Sequence, residues 1–168
     1  MLETHIGADM LVALPEIFLA VAAMALLMFG VFRKEPSADL VNAASVVVLA
    51  MTGALVIFGT EGRELAFQGA FVVDGFARLF KVLVLLASAA AIALSVHFMK
   101  AERIERFEYP VLILLATLGM LMMVSANDMI GLYLGLELQS LALYVVAAIN
   151  RDSVRSTEAP KTSRIGAG

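Results

Sequence analysis

The sequence predicts an all-α, polytopic membrane protein with about five transmembrane helices and its N-terminus outside. Three observations carry this. Of the 168 residues, 61% are hydrophobic and only 16% charged, against roughly 25% charged in a soluble domain. The mean hydropathy is +0.93, and the apolar residues gather into runs close to the ~20 that a helix needs to cross a hydrocarbon core. Lysine and arginine, finally, fall almost wholly on one side of the alternating connections.

Five segments follow, at about 10–32, 40–59, 75–99, 109–126 and 128–149. The leader MLETHIGADM has two acids and no Lys or Arg. That is the wrong sign for a secretory n-region, so the first helix is expected to stay in the mature protein. Glu16, beside Pro15, is expected at the interface. Pro36, Ser37 and Asp39 punctuate the first connection, and Asp39 can cap the second helix. The second connection, Thr60 to Asp74, is the longest. Asp74 and Arg78, four apart, can pair along the start of the third helix. Lys81 lies one turn deeper, and His97 reads as a helix-end residue. KAERIERFE, Lys100 to Glu108, reads as a solvated cytoplasmic loop. Only Ser125 to Asp128 separate the last two segments, so these helices are expected to be antiparallel neighbours, with Asn127 or Asp128 as N-cap.

Orientation follows from the basic residues. Arg33, Lys34, Lys100, Arg103, Arg106, Arg151, Arg155, Lys161 and Arg164 fall on one side, and Arg63 alone on the other. The segment 150–159 is therefore expected in the cytoplasm. With no cysteine in the chain, thiolate iron–sulfur ligation and haem attachment are excluded. His5 and His97 form no metal-spaced cluster, and GTEGRE at 59–64 lacks the lysine and the strand–helix setting of a phosphate loop. Neither a cofactor site nor a metal site is expected, and a net charge of −3 gives no reason to expect a nucleic-acid partner.

Glu137 is the anomaly. From Asp128 it lies about 13–14 Å along a helix rising 1.5 Å per residue, close to the middle of a ~30 Å core. A central acidic residue costs roughly 2.5–3.5 kcal/mol on insertion scales, and Glu is too short to reach the interface. It must face protein or water, and its charged form is disfavoured unless a cation is near. At helical spacing Tyr133, Glu137, Ser140 and Tyr144 form a polar seam. Gly131, Gly135, Leu138 and Ala142 lie opposite, where small residues permit close backbone approach. The helix is expected to pack on both faces. Glu137 is then either a protonated carboxyl bonded within the bundle or a proton carrier, and Lys81, at similar depth, is a possible partner.

LGMLMMVSANDMIGLYLGLELQSLALYVVAAINRDSVRSTEA (118–159) resembles the helix four–five region of subunit N of the proton-translocating NADH–quinone oxidoreductase, respiratory complex I. LPEIFLA (14–20) resembles that family's first helix and FVVDGFARLFKVLVLL (71–86) its third. The wider antiporter-like family includes Mrp antiporter and membrane-bound hydrogenase subunits. The resemblance implies that Glu137 is an acid of the proton path, paired with a lysine from helix seven; spacing and depth add Tyr133, Ser140, Tyr144 and Lys81 as possible supports. It also implies neighbouring membrane-arm subunits as partners, a bacterial inner membrane, and quinone as substrate of the complex. Redox cofactors are expected in other subunits.

After STEA the family continues into a sixth helix, whereas this chain reads PKTSRIGAG. The resemblance therefore implies a membrane domain over 1–159, a truncated antiporter-like fold, and a polar non-family tail at 160–168. Two readings follow: a fragment of a membrane-arm subunit contributing to proton translocation, or a non-catalytic truncated membrane protein with no activity of its own. A solute transporter finds little support, because no substrate-sized polar site is visible.

Overall fold

Every backbone amide in hydrocarbon must bond within its own segment, and uninterrupted helices satisfy this. The computed structural model describes residues 7, 9–32, 38–59, 64–102 and 108–158. It contains α1 (Leu14–Phe32), α2 (Ala38–Phe58), β1 (Glu64–Ala66), β2 (Phe71–Val73), α3 (Gly75–Glu102), α4 (Glu108–Ser125) and α5 (Met129–Glu158). Each helix holds an apolar span of 18 to 21 residues, long enough to cross a membrane. The first connection, Arg103 to Phe107 of the charged run, and the tail 160–168 lie outside the described residues.

Two helices outrun their expected spans. α3 continues into the charged run as far as Glu102, and α5 reaches Glu158. Charged residues such as Lys, Arg and Glu are good helix formers, so the end of an apolar run need not end a helix. The termini are set by side chains. Asp74 accepts a bond from the Ala77 amide at 2.7 Å and caps α3, while the Arg78 guanidinium donates to the Gly59 carbonyl at the end of α2. Asp128 rather than Asn127 caps α5, through the Gly131 amide at 2.8 Å. Asp39 stands inside the first turn of α2 rather than at its cap.

The long second connection is not plain loop. β1 and β2 pair antiparallel, with Leu65 opposite Val72. Their turn runs through three successive left-handed residues, Phe67 (φ 52°), Gln68 (φ 58°) and Gly69 (φ 90°). Only the glycine adopts that conformation freely, which hides the turn from a reading based on composition. The hairpin lies across the α4–α5 connection. Phe71 bridges to Ala126, the Asn127 amide donates to Ala70 O (2.9 Å), and Asn127 Nδ2 donates to Gly69 O (2.7 Å).

α4 is the hub. It touches each of the other four helices, and 50% of its apolar span is buried, against 11% for α5. The core joins Leu19 and Ala23 of α1, Leu49 and Val56 of α2, Leu85 and Ile92 of α3, and Leu114, Leu118 and Leu121 of α4. α5 adds no fully buried residue to this cluster and packs on α4 alone among the extensive helix contacts. The two are antiparallel neighbours, as expected, and their backbones meet at glycine. A Cβ on Gly119 would lie 2.6 Å from Gly135 O, and one on Gly135 would lie 2.8 Å from Gly119 O.

That approach can be tested against a glycine in open packing. Gly119→Ala should lower resistance to unfolding in mixed micelles by about 1–3 kcal/mol, the usual cost of overpacking. Gly53→Ala, whose Cβ would meet nothing nearer than Leu85 Cδ1 at 3.9 Å, should leave stability unchanged or raise it. Equal effects of the two substitutions would remove the glycine contact as the reason these helices pair.

Candidate functional site

Polar groups inside apolar helices mark the candidate sites, and the structure separates them into two places. The first is the seam on α5. Glu137 is half-buried and lies about 12 Å along the axis from Met129 at 1.5 Å per residue. The buried residues Gly135 and Ala142 turn toward α4, so Glu137, two positions past Gly135, faces the other way. The Tyr133 hydroxyl, one turn ahead, interacts with its carboxylate. Ser140 is half-buried, whereas Tyr133 is 59% and Tyr144 70% exposed.

Packing on both faces therefore holds only for the glycine face. On the seam side the tyrosines are uncovered among the described residues. The reason is positional: four helices gather around the core and α5 joins α4 from its edge, so one face of α5 stays open.

The second place was not expected. Lys81 Nζ and Glu16 Oε1 are 2.5 Å apart, with side chains only 2% and 7% exposed. Glu16 is thus buried rather than interfacial. α1 and α3 run in the same direction from the hairpin end of the bundle, which brings the two charges to a common depth. Lys81 also lies under the hairpin, its Nζ 5.1 Å from the centre of the Phe71 ring. No ion pair joins Lys81 to Glu137 among the described residues, so Lys81 is committed to Glu16 instead. A charge of either sign alone in this setting would be strongly disfavoured, and together they neutralise each other. Glu16 Oε2 has no hydrogen-bond partner among the described residues.

Beside this pair a cleft of about 360 Å³ opens at the same end, lined by Lys81, Arg78, Pro15, Phe58, Gly59 and Val73 among others. Deeper in the bundle, Thr117 Oγ1 lies 2.7 Å from both Ser88 Oγ and Ile113 O. One hydroxyl has one proton to give, so Thr117 donates to the carbonyl and accepts from Ser88, tying α4 to α3. Ser45 and Thr52 bond back to carbonyls of their own helix. Among the described residues no group of His, Asp and Glu could hold a metal ion.

The buried pair should behave as a unit. Lys81→Met or Glu16→Gln alone leaves one uncompensated buried charge and should cost about 3–5 kcal/mol. The double variant, with no charge left to bury, should recover most of that loss in the same micelle unfolding assay. Additive losses would mean that the two side chains do not share one electrostatic environment.

The chain matches a family described as NAD(P)H-quinone oxidoreductase subunit 2 N-terminal over residues 5–97. It matches a second, described as NADH:quinone oxidoreductase/Mrp antiporter, TM, over residues 126–165, a stretch that reaches into the segment 160–168. It is 56% identical over 151 residues to NADH-quinone oxidoreductase subunit N of Parvibaculum lavamentivorans, covering 90% of this chain and 31% of that protein. With the subunit N of Paramagnetospirillum magneticum it shares 60% identity over 153 residues, again 90% of this chain and 31% of the relative. A chain in the structure of respiratory complex I from Thermus thermophilus with bound aureothin superposes with a TM-score of 0.66 at 32% identity, covering 79% of this chain and 28% of that one. This sequence therefore spans just under a third of the length of these relatives. Its longest match takes in more than half of its residues, and the chain belongs to the family of NAD(P)H-quinone oxidoreductase subunit 2 N-terminal regions.

Proposed function

We propose that this chain contributes to proton translocation as part of a membrane-arm subunit of NADH–quinone oxidoreductase, with Glu137 as the group that carries the proton. The observation that supports this best is Glu137 itself. A half-buried carboxyl stands on a membrane-crossing helix, on the face turned away from α4, with Tyr133 in contact and Ser140 beside it. A carboxyl in such a place exchanges its proton in response to the charge around it. A cation brought close stabilises the carboxylate, and a cation withdrawn favours the acid. Alternating the two takes up a proton and releases it.

The open seam is where such a cation would approach. Lys81 is not placed to serve, being held by Glu16. The cation is therefore expected from beyond these five helices, and the partners from other membrane-arm subunits. Electron transfer and quinone reduction belong to the rest of the complex, and no redox cofactor is assigned to this chain. The bacterial inner membrane is the expected location, with the hairpin end of the bundle outside, in keeping with the basic residues on the opposite connections.

The test uses a full-length subunit N carrying this sequence over the matching region, assembled in the complex. Glu137→Gln should cut NADH-driven proton pumping at least several-fold, in line with the loss of an acid–base group. Glu137→Asp should retain part of it, and NADH oxidation by an artificial acceptor should be unaffected. Unchanged pumping in the glutamine variant would end the assignment.

A further inference from the structure

We infer that Lys81 is a positioning residue for α5: its cation anchors the hairpin through Phe71, and the hairpin's backbone sets where α5 begins. The contacts form a continuous path. Glu16 on α1 holds Lys81 of α3 at 2.5 Å. The Lys81 ammonium lies 5.1 Å from the Phe71 ring centre, within cation–π range. Phe71 bridges to Ala126, and the Asn127 amide and side chain bond to Ala70 and Gly69. Asp128, the next residue, caps α5.

The path has a physical purpose at each joint. The hairpin has only three paired positions on each strand, too few for a two-stranded ribbon to stand by itself. Its turn carries two non-glycine residues in the left-handed region, which disfavours it further. Something must hold it down. Ala66 is fully buried, and Phe71 is partly buried and contacts a desolvated ammonium, where the cation–π attraction is at its strongest. The ammonium in turn is held in that apolar setting by its ion pair with Glu16. Glu16 therefore acts on α5 through Lys81, and Lys81 through Phe71.

At the other end, α5 shares extensive packing with α4 only. The glycine contact fixes how closely the two approach. The tie of Asn127 to the hairpin adds the second point that fixes how far α5 sits along α4, and hence the depth of every residue on it, Glu137 included. This holds whatever chemistry Glu137 performs.

The test measures hydrogen exchange of the Asn127 and Gly131 amides, with the α4 core amides of Leu118 and Leu121 as an internal reference, in the full chain in lipid nanodiscs. Phe71→Leu leaves the ion pair intact and should speed exchange at Asn127 by about 3- to 30-fold, as loss of a desolvated cation–π contact implies. Phe71→Tyr, which keeps an aromatic face, should restore protection. The double variant Glu16→Gln/Lys81→Met, which buries no charge, should also lose protection at Asn127 while Leu118 and Leu121 stay protected. Full protection at Asn127 in both Phe71→Leu and the double variant would overturn the inference. So would a loss spread equally over α4, since that would mean general loosening. Proton pumping is not read in this experiment, so its outcome is independent of the role proposed for Glu137.

Discussion

Hydrocarbon offers no partner for a charge, and the way this chain meets that constraint organises the rest of its structure. Two of its intramembrane charges, on Glu16 and Lys81, solve the problem by meeting each other. Such a pair needs α1 and α3 to descend from the same end, each packed on α2 and α4, so the solution constrains topology as well as electrostatics. The hairpin folds over the ammonium, and the α4–α5 connection is stitched to the hairpin. Glu137 is the acid that this economy leaves out. It receives a tyrosine neighbour and no cation among the described residues.

The five helices were legible because membrane-spanning runs are long, and a window of about 20 apolar residues is hard to mistake. The adjacency of α4 and α5 was legible from their short connection, and the close face from Gly135 standing opposite Glu137. The buried pair was legible in principle. Counted from the expected helix starts near 10 and 75, Glu16 and Lys81 each lie about 9 Å deep, with opposite charge, on helices of the same direction. That coincidence of depth is a signal, and it was masked by the proline beside Glu16, which makes the site look like a helix end.

The rest could not be read for definite reasons. The hairpin depends on left-handed torsions at Phe67 and Gln68, and neither residue type announces such a conformation. Which face of α5 is covered depends on how four other helices share a core, a tertiary outcome with no local signature. Helical spacing puts Tyr133 and Tyr144 on the face of Glu137, but it could not say that both would stand exposed.

The central place of α4 bears on how the chain comes to be assembled. α1, α2 and α3 emerge first, with α2 packed on both of the others, yet the core residues they supply form one cluster with Leu114, Leu118 and Leu121 of the fourth helix. Until Glu108–Ser125 has left the ribosome and entered the bilayer, the Ser88 hydroxyl has no Thr117 to bond and the leucines of three helices have no common interior. Insertion of the first three spans is then a waiting state, and α4 is the keystone whose arrival completes the arch.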